Sequence, residues 1–395
     1  MLRFLTAGES HGPSLTVIVE GLPSGLPLVE EDLADQLARR RLGFGRGPRM
    51  RFERDALRLT GGIRHGRTLG SPVAIEIVNT EWVKWEEEMS AAPGEPTRRL
   101  TAPRPGHADL VGMQKYGFDD ARDVLERASA RETAARVVVG SLARALLGQI
   151  GVSVLSHVVR IGDVAYEGPR PGPTDQGVVD ESEVRCVDSE TSSRMVTAIK
   201  AAAKVGDSLG GVAEVVAYGV PVGLGSYVHW DRKLDGLLAG ALMSIPAVKA
   251  VEIGDGWRQA EQRGSEAHDA IYRDDQATTS GGYGRRSDHA GGLEGGVSSG
   301  APVIVRVAMK PLATLNRPVL ETVDVASGES TVSFKERTDV TAVPAMGVVA
   351  ESMVAIVLAG EALRKFGGDT VAEFVRNHEA YVAHLGSAPS TARPL

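Results

Sequence analysis

The chain has 395 residues, 42% hydrophobic, 24% charged and 5% aromatic, with 47 glycines, 20 prolines and one cysteine. That composition excludes a disulfide-stapled scaffold, a collagen-like repeat and a disordered chain, and the length allows a large buried core. Lys and Arg number 44 against 51 Asp and Glu, a formal charge of −7, so the molecule as a whole repels nucleic acid and anionic membrane, and any anion binding must be local.

The N-terminal segment MLRFLTAGESHG has an apolar stretch too short for a secretory signal, and no unbroken apolar run reaches 18 residues. Cys186 alone forms no intramolecular disulfide, so the expected compartment is the reducing cytoplasm. In chain order, period-two alternation predicts a strand at 15–20, and Leu33 and Leu37 mark one face of a helix at 29–42. A second strand is predicted at 73–78, then a long helix at 120–150 with Val124, Leu125, Ala128, Val138, Leu142 and Leu146 as its apolar positions. Strands at 212–217 and 303–309 follow, then consecutive helices at 351–366 and 370–384, each stopped by glycine. Three strands are entered through small residues, at 69–72, 208–211 and 299–302. This points to a repeated loop-into-strand unit and an internal duplication, or else to small residues merely punctuating strands. Because strands and helices do not strictly alternate, the expected fold is α+β, one domain over 1–395 with a disordered tail from about 386.

Glycine is the unusual total, about one residue in eight, and scattered glycine serves turns and close approach of main chain to a ligand. Between positions 39 and 54 stand seven arginines (Arg39, Arg40, Arg41, Arg46, Arg49, Arg51, Arg54) against Glu53 alone, interrupted by Gly43, Gly45 and Gly47. Guanidinium forks on so flexible a backbone suit a small polyanion; a solvated basic face is the plainer alternative. Nucleic acid is disfavoured by the acidic total and by the lack of aromatics beyond Phe44 and Phe52. Two matches to the hydrolase pattern G-x-S-x-G, at 8–12 and 296–300, both run into strands and lack the strand-to-helix elbow that a nucleophilic serine needs. His11 in the first can present its imidazole to a ligand or serve the structure alone, and His107 in RPGHAD is a candidate proton-transfer group. A cation beside His107 disfavours its protonated form unless an anion intervenes, which poises it to donate or accept a proton, while Asp109 can simply cap the next turn. Arg127 and Arg131 in the long helix are spaced for intrahelical ion pairs with Glu126 and Glu132, or for an anionic partner. The glycine-rich segment 278–300, leading to Lys310 and Thr314, reads as a backbone cradle or as disordered chain, and the charged run 334–339 as a salt-bridged loop or a site. Phosphate loops, dinucleotide fingerprints and zinc motifs are missing. From these residues the chain reads as a cytosolic enzyme acting on a small polyanion.

Seven segments together resemble the chorismate synthase family: GESHG, RRRLGFGRGPRM, RPGHADL, YGFDDARDVLERASARETAARV, AGGLEGG, MKPLATL and ERTDVTAVPA, in the family's order. The resemblance implies a helix layer between antiparallel sheets, a homotetramer, and a 1,4-anti elimination of phosphate from 5-enolpyruvylshikimate 3-phosphate to form chorismate. It also implies reduced FMN without net redox change, and NADPH or an external flavin reductase as the source of reduction. By the same resemblance His11 protonates the departing phosphate, His107 protonates reduced flavin, and Asp339 assists uptake of the substrate proton. Ser10, Arg40, Arg46, Arg49, Arg104, Arg131 and Arg337 are implied substrate ligands, with Arg40 and Arg46 also at the NADPH position. Arg127, Ala128, Ser129, Ala250, Gly295, Lys310, Pro311, Leu312, Ala313, Thr314 and Arg337 are implied FMN contacts. No metal is implied. Asp288 stands where the family pattern has asparagine.

Overall fold

The computed structural model describes residues 2–47, 55–277, 280–317, 319–333 and 339–385. Its first sheet joins β1 (Arg3–Ala7), β2 (Ser14–Glu20), β3 (Ala56–Gly61) and β4 (Val73–Val78), antiparallel throughout, in the order β1-β2-β4-β3. Leu15, Val17 and Val19 of β2 and Val73, Ile75 and Ile77 of β4 are buried, while the residues between them face outward. This one-sided burial is the source of the period-two signal. The second sheet joins β5 (Ser153–Ile161), β6 (Gly211–Tyr218), β7 (Val248–Ile253) and β8 (Val303–Met309), also antiparallel, in the order β7-β8-β6-β5, with Val164–Ala165 beyond β5.

The longer helices are α1 (Glu30–Arg41), α2 (Asp109–Tyr116), α3 (Arg122–Ala128), α4 (Thr133–Gly148), α5 (Ser189–Val205), α6 (Leu234–Met243), α7 (Val343–Phe366) and α8 (Val371–Leu385). Helices α1 and α4 cover the inner face of the first sheet, and α7 runs along α4 and covers β5 and β6 of the second. The two sheets thus enclose a helical layer, with one continuous apolar core from Leu15 and Ile75 through Leu142 and Val354 to Val215 and Val305. At the α4–α7 crossing the backbones come so close that a Cβ on Gly140 would lie 2.2 Å from the Ser352 Cβ. α7 is the one described helix long and apolar enough to cross a membrane, but 83% of its most apolar window is buried in this core.

Several sequence expectations need correction. The helix expected over 120–150 is three pieces: α3, a single turn at Ala130–Glu132, and α4. Ser129 breaks it, with extended backbone (φ −62°, ψ 141°) and its Oγ accepting the Arg131 amide at 3.3 Å, a competing local cap. β5 escaped notice because five consecutive residues are buried, which removes the alternation. α5 escaped notice although it carried readable signals, an Asp188 cap on the Thr191 amide and Gly206 in the left-handed region. The helix expected at 351–366 starts earlier, at Val343 beside Pro344. Cys186, in a polar stretch, is nonetheless buried.

The small-residue loops at 69–72 and 299–302 belong to like-folded units. Ile63–Arg64 pairs with Arg67–Thr68 and Leu293–Glu294 with Val297–Ser298, and each hairpin runs on into β4 or β8. The two-residue turns, His65-Gly66 and Gly295-Gly296, have positive φ at both positions, as hairpin turns of this hand require. Gly62 and Gly292 lie correspondingly close to the Pro72 and Pro302 carbonyls.

Candidate active site

A cavity of about 1570 Å³ opens among the β2 entry loop, the α1 C-terminus, the 79–108 segment, α3, the 243–249 and 309–314 segments and the first turns of α7. His11 reaches it from the glycine-flexed turn before β2. Behind the ring, Glu126 of α3 receives Nδ1 at 2.8 Å and, through its other oxygen, the His11 amide at 2.8 Å. Burial pushes the Glu126 carboxyl up, but hydrogen bonds and charge from His11, with Arg122, outweigh it and hold it below the usual carboxylate range. An ionised Glu126 makes Nδ1 the protonated nitrogen. Trp85 covers the ring face with centroids 4.1 Å apart, and Arg98 and Arg122 lie over the indole at 5.4 and 5.0 Å.

His107 has a parallel arrangement. Gly106, in the left-handed region, turns the chain so that His107 Nδ1 meets Asp109 Oδ1 at 2.5 Å. Asp109 Oδ2 accepts Arg104 Nε at 2.8 Å and the Arg104 amide at 3.1 Å. Burial opposes the Asp109 anion, yet hydrogen bonds from His107 and Arg104 hold its carboxyl far below the ordinary range. Asp109 Oδ1 thus meets both groups, while Arg104 Nη2 also lies 3.1 Å from His107 Nδ1. Arg104 continues to Thr314 Oγ1 at 3.1 Å, and Lys310 donates to the Gly106 carbonyl at 2.5 Å.

Around these histidines the cavity is lined by Arg40, Arg46, Lys84, Arg98, Arg104, Lys249 and Lys310, seven cations, against Glu81 and Asp339. Arg40 is oriented by Thr133 Oγ1 and the Ala130 carbonyl, at 3.0 and 2.9 Å. Asp339 pairs with Arg46 at 3.0 Å and accepts the Gly47 amide at 2.6 Å. Met243, Ile245, Val248, Leu312, Met346 and Val349 add an apolar wall. Ala247, beside it, holds φ +65°, strained for a residue with a Cβ.

The structure therefore brings Ser10, His11, Arg40, Arg46, Arg104, His107, Ala128, Ser129, Lys310, Leu312, Ala313, Thr314 and Asp339 to one cavity. Arg127, Arg131, Ala250, Gly295 and Pro311 do not line it. Arg127 donates to the Thr6 and Gly8 carbonyls, and Arg131 is buried against Asn79 and Asp55. Arg131 pairs with Asp55 from outside the helix, and the intrahelical pairs among the described residues of this stretch include Arg122–Glu126 and Arg136–Glu132. Ala250 lies on the edge strand β7, and Gly295 occupies a hairpin turn that demands positive φ. The described part of the glycine-rich segment 278–300 likewise builds hairpins away from the cavity, and Asp288 there faces Arg170 at 3.6 Å. Arg49 and Arg337 lie outside the described residues. Arg39 turns inward: with Arg144 and Arg185 it surrounds the fully buried Glu351, at 2.7, 3.0 and 3.0 Å. Sequence reasoning missed Glu126 as the partner of His11, and also Trp85, Arg98 and Lys249. Two tryptophans within four residues of an aromatic-poor chain were the available signal for the 82–85 segment.

Cavity, charge and paired imidazoles together define an enzyme that neutralises a small polyanion and moves protons beside it. The family model described as chorismate synthase matches residues 2–363. The chain is 58% identical over 395 residues to the chorismate synthase of Thermobifida fusca (strain YX), covering 98% of this chain and 99% of that one. It is 56% identical over 399 residues to the chorismate synthase of Micrococcus luteus, covering 98% and 96%. A crystal structure of chorismate synthase is similar at TM-score 0.79 and 40% identity, over 98% of both chains. The chain belongs to the chorismate synthase family. Its activity is that of a lyase acting on phosphates, forming chorismate in the shikimate pathway.

Proposed function

We propose that this cavity binds 5-enolpyruvylshikimate 3-phosphate together with reduced FMN and carries out the 1,4-anti elimination between His11 and His107. The convergence of seven cations, two carboxylate-backed imidazoles and an apolar wall on one cavity carries this reading. Single-ligand pockets are typically about 300–1,000 Å³, so this cavity has room for two molecules. The residues fit a flavin: the wall from Met243 to Val248 with Met346 and Val349 suits its apolar rings, and Lys310 with Thr314 suits its phosphate. When bound, reduced flavin supplies electron density to the substrate without net redox change. Ala128, Ser129, Lys310, Leu312, Ala313 and Thr314 hold this cofactor, while Ser10, Arg40, Arg46 and Arg104 hold the substrate anions.

His11 donates a proton to the departing phosphate, and its Nδ1 proton stays on the ring throughout, hydrogen-bonded to Glu126. His107, likewise anchored through Nδ1 to Asp109, holds a proton at the flavin. Asp339, kept in place by Arg46 and the Gly47 amide, assists removal of the ring proton. Excluding water from so charged a site makes each of these dipoles count for more.

NADPH at Arg40 and Arg46, or an external flavin reductase, supplies the reduction; anaerobic NADPH oxidation by the pure protein with FMN separates the two. The matched hairpin-and-strand units at 61–78 and 291–309 support descent from an internal duplication within one domain. A homotetramer in the cytoplasm completes the reading. It is tested by mixing purified protein anaerobically with reduced FMN and 5-enolpyruvylshikimate 3-phosphate: chorismate absorbance and free phosphate should appear together, and no phosphate release under reducing conditions sinks it.

A further inference from the structure

Glu126 is 2% exposed and does not line the cavity, whereas the His11 ring in front of it does. Both carboxylate oxygens are committed. Oε1 meets His11 Nδ1 at 2.8 Å and Arg122 Nη1 at 3.2 Å, and Oε2 accepts the His11 amide at 2.8 Å. Arg122 is in turn shared with Glu88 at 3.6 Å. The Ser10 amide donates to the Glu126 carbonyl at 2.9 Å, so the β2 entry loop is tied to α3 by main chain and side chain alike. In the ring plane His11 is held by Glu126, and across its face by Trp85 at 4.1 Å.

A neutral imidazole has one protonated nitrogen, and free in water the proton sits on either one. A carboxylate that can only accept removes that freedom. We infer that Glu126 is the positioning residue for His11: it fixes the proton on Nδ1, so that Nε2 is the nitrogen that exchanges protons on the cavity side. The inference rests on the reading of His11 as the acid for the departing phosphate. In that step the Nε2–H bond breaks as the phosphate C–O bond breaks, the proton goes to the leaving oxygen, and the ring is left neutral with its proton still on Nδ1, donated to Glu126. Glu126 exchanges no proton itself. Without it the ring turns or changes tautomer, and a correctly folded site presents the wrong nitrogen.

The test uses the full-length protein with ¹⁵N-labelled histidine, His11 being assigned by the resonance lost in H11A. Wild type should show His11 as the Nδ1–H tautomer when neutral. E126A should lose that signature and drop kcat by about 10²-fold, the usual worth of a general acid, with KM for the substrate little changed. E126Q keeps an acceptor oxygen and should fall between, and E126D should partly restore both readouts. If E126Q and E126A retain the tautomer and keep kcat within about twofold while H11A is inactive, the inference is overturned and the role of His11 stands. If H11A itself keeps wild-type kcat, the reading of His11 as an acid fails and Glu126 has no part in the reaction, whatever its effect on the tautomer. Should E126A fail to fold, E126Q decides, since it preserves volume and one hydrogen bond.

Discussion

Asp109 accepts His107 Nδ1 at 2.5 Å and Arg104 Nε at 2.8 Å while its side chain is wholly buried. One carboxylate therefore sets the orientation of a proton-transfer group and of an anion-binding arginine. D109N replaces an acceptor by an amide that must turn a donor toward one of two donors. Breaking a buried ion pair from one side costs about 3–5 kcal/mol, and urea unfolding should register a loss of that order. Turnover should fall with it, and a variant as stable and active as wild type would show the cluster to be incidental.

The pH dependence of the same cluster has a definite sign. Because the Asp109 carboxyl is held below its unfolded value, its contribution to stability is complete above the unfolded value of about 4 and is lost as pH falls further. Unfolding free energy measured from pH 7 downward should show no loss from Asp109 until below about pH 4, and the D109N variant should lack that acid-side decline.

Glu351 supports a separate prediction. Burial opposes its charge, but Arg39, Arg144 and Arg185 bring its carboxyl down from 4.5 to about 2. Its stabilisation is therefore present above 4.5 and declines as pH falls toward about 2. E351Q leaves three buried guanidiniums facing a neutral amide and should lose about 3–5 kcal/mol in chemical denaturation. The cavity lies elsewhere, so the folded fraction should retain turnover.

Gly140 tests the helical layer. A methyl group there meets the Ser352 Cβ at 2.2 Å, so G140A should force α4 and α7 apart and cost about 1–3 kcal/mol. S352G removes the opposing Cβ, and the double variant should recover part of the loss, less about 1 kcal/mol for glycine within a helix. Equal stability of G140A and wild type in thermal melts would contradict this packing.

His11→Ala and His107→Ala should each lower turnover about 10²-fold or more while flavin binding, followed by absorbance titration, is largely kept. KM for the phosphorylated substrate should rise with salt, because seven cavity cations face only two carboxylates and exposed charges are screened within about 8–10 Å near physiological ionic strength. A salt-independent KM would mean that the cations do not face the substrate.

The strands at 15–20, 73–78, 212–217 and 303–309 were legible because each is alternately buried or bounded by small residues, and the seven ordered motifs sufficed for the family. The break at Ser129 was not legible, since apolar positions on both sides keep helical spacing while one hydroxyl diverts the backbone. Nor was the division of the arginines. Arg39 and Arg40 are adjacent, yet Arg39 closes on a carboxylate 312 residues away and Arg40 faces the cavity, because successive helix positions point about 100° apart.

The sequence by itself determined that this protein handles a polyanion, that His11 and His107 sit at glycine-shaped turns, and to which family it belongs. Only the tertiary structure decided which group meets His11 Nδ1, since Glu126 stands 115 residues away, and which cations line the cavity. The reason is electrostatic: a buried charge is governed by whichever group shares its volume, and that is set by how α3, α4 and α7 pack, not by spacing along the chain.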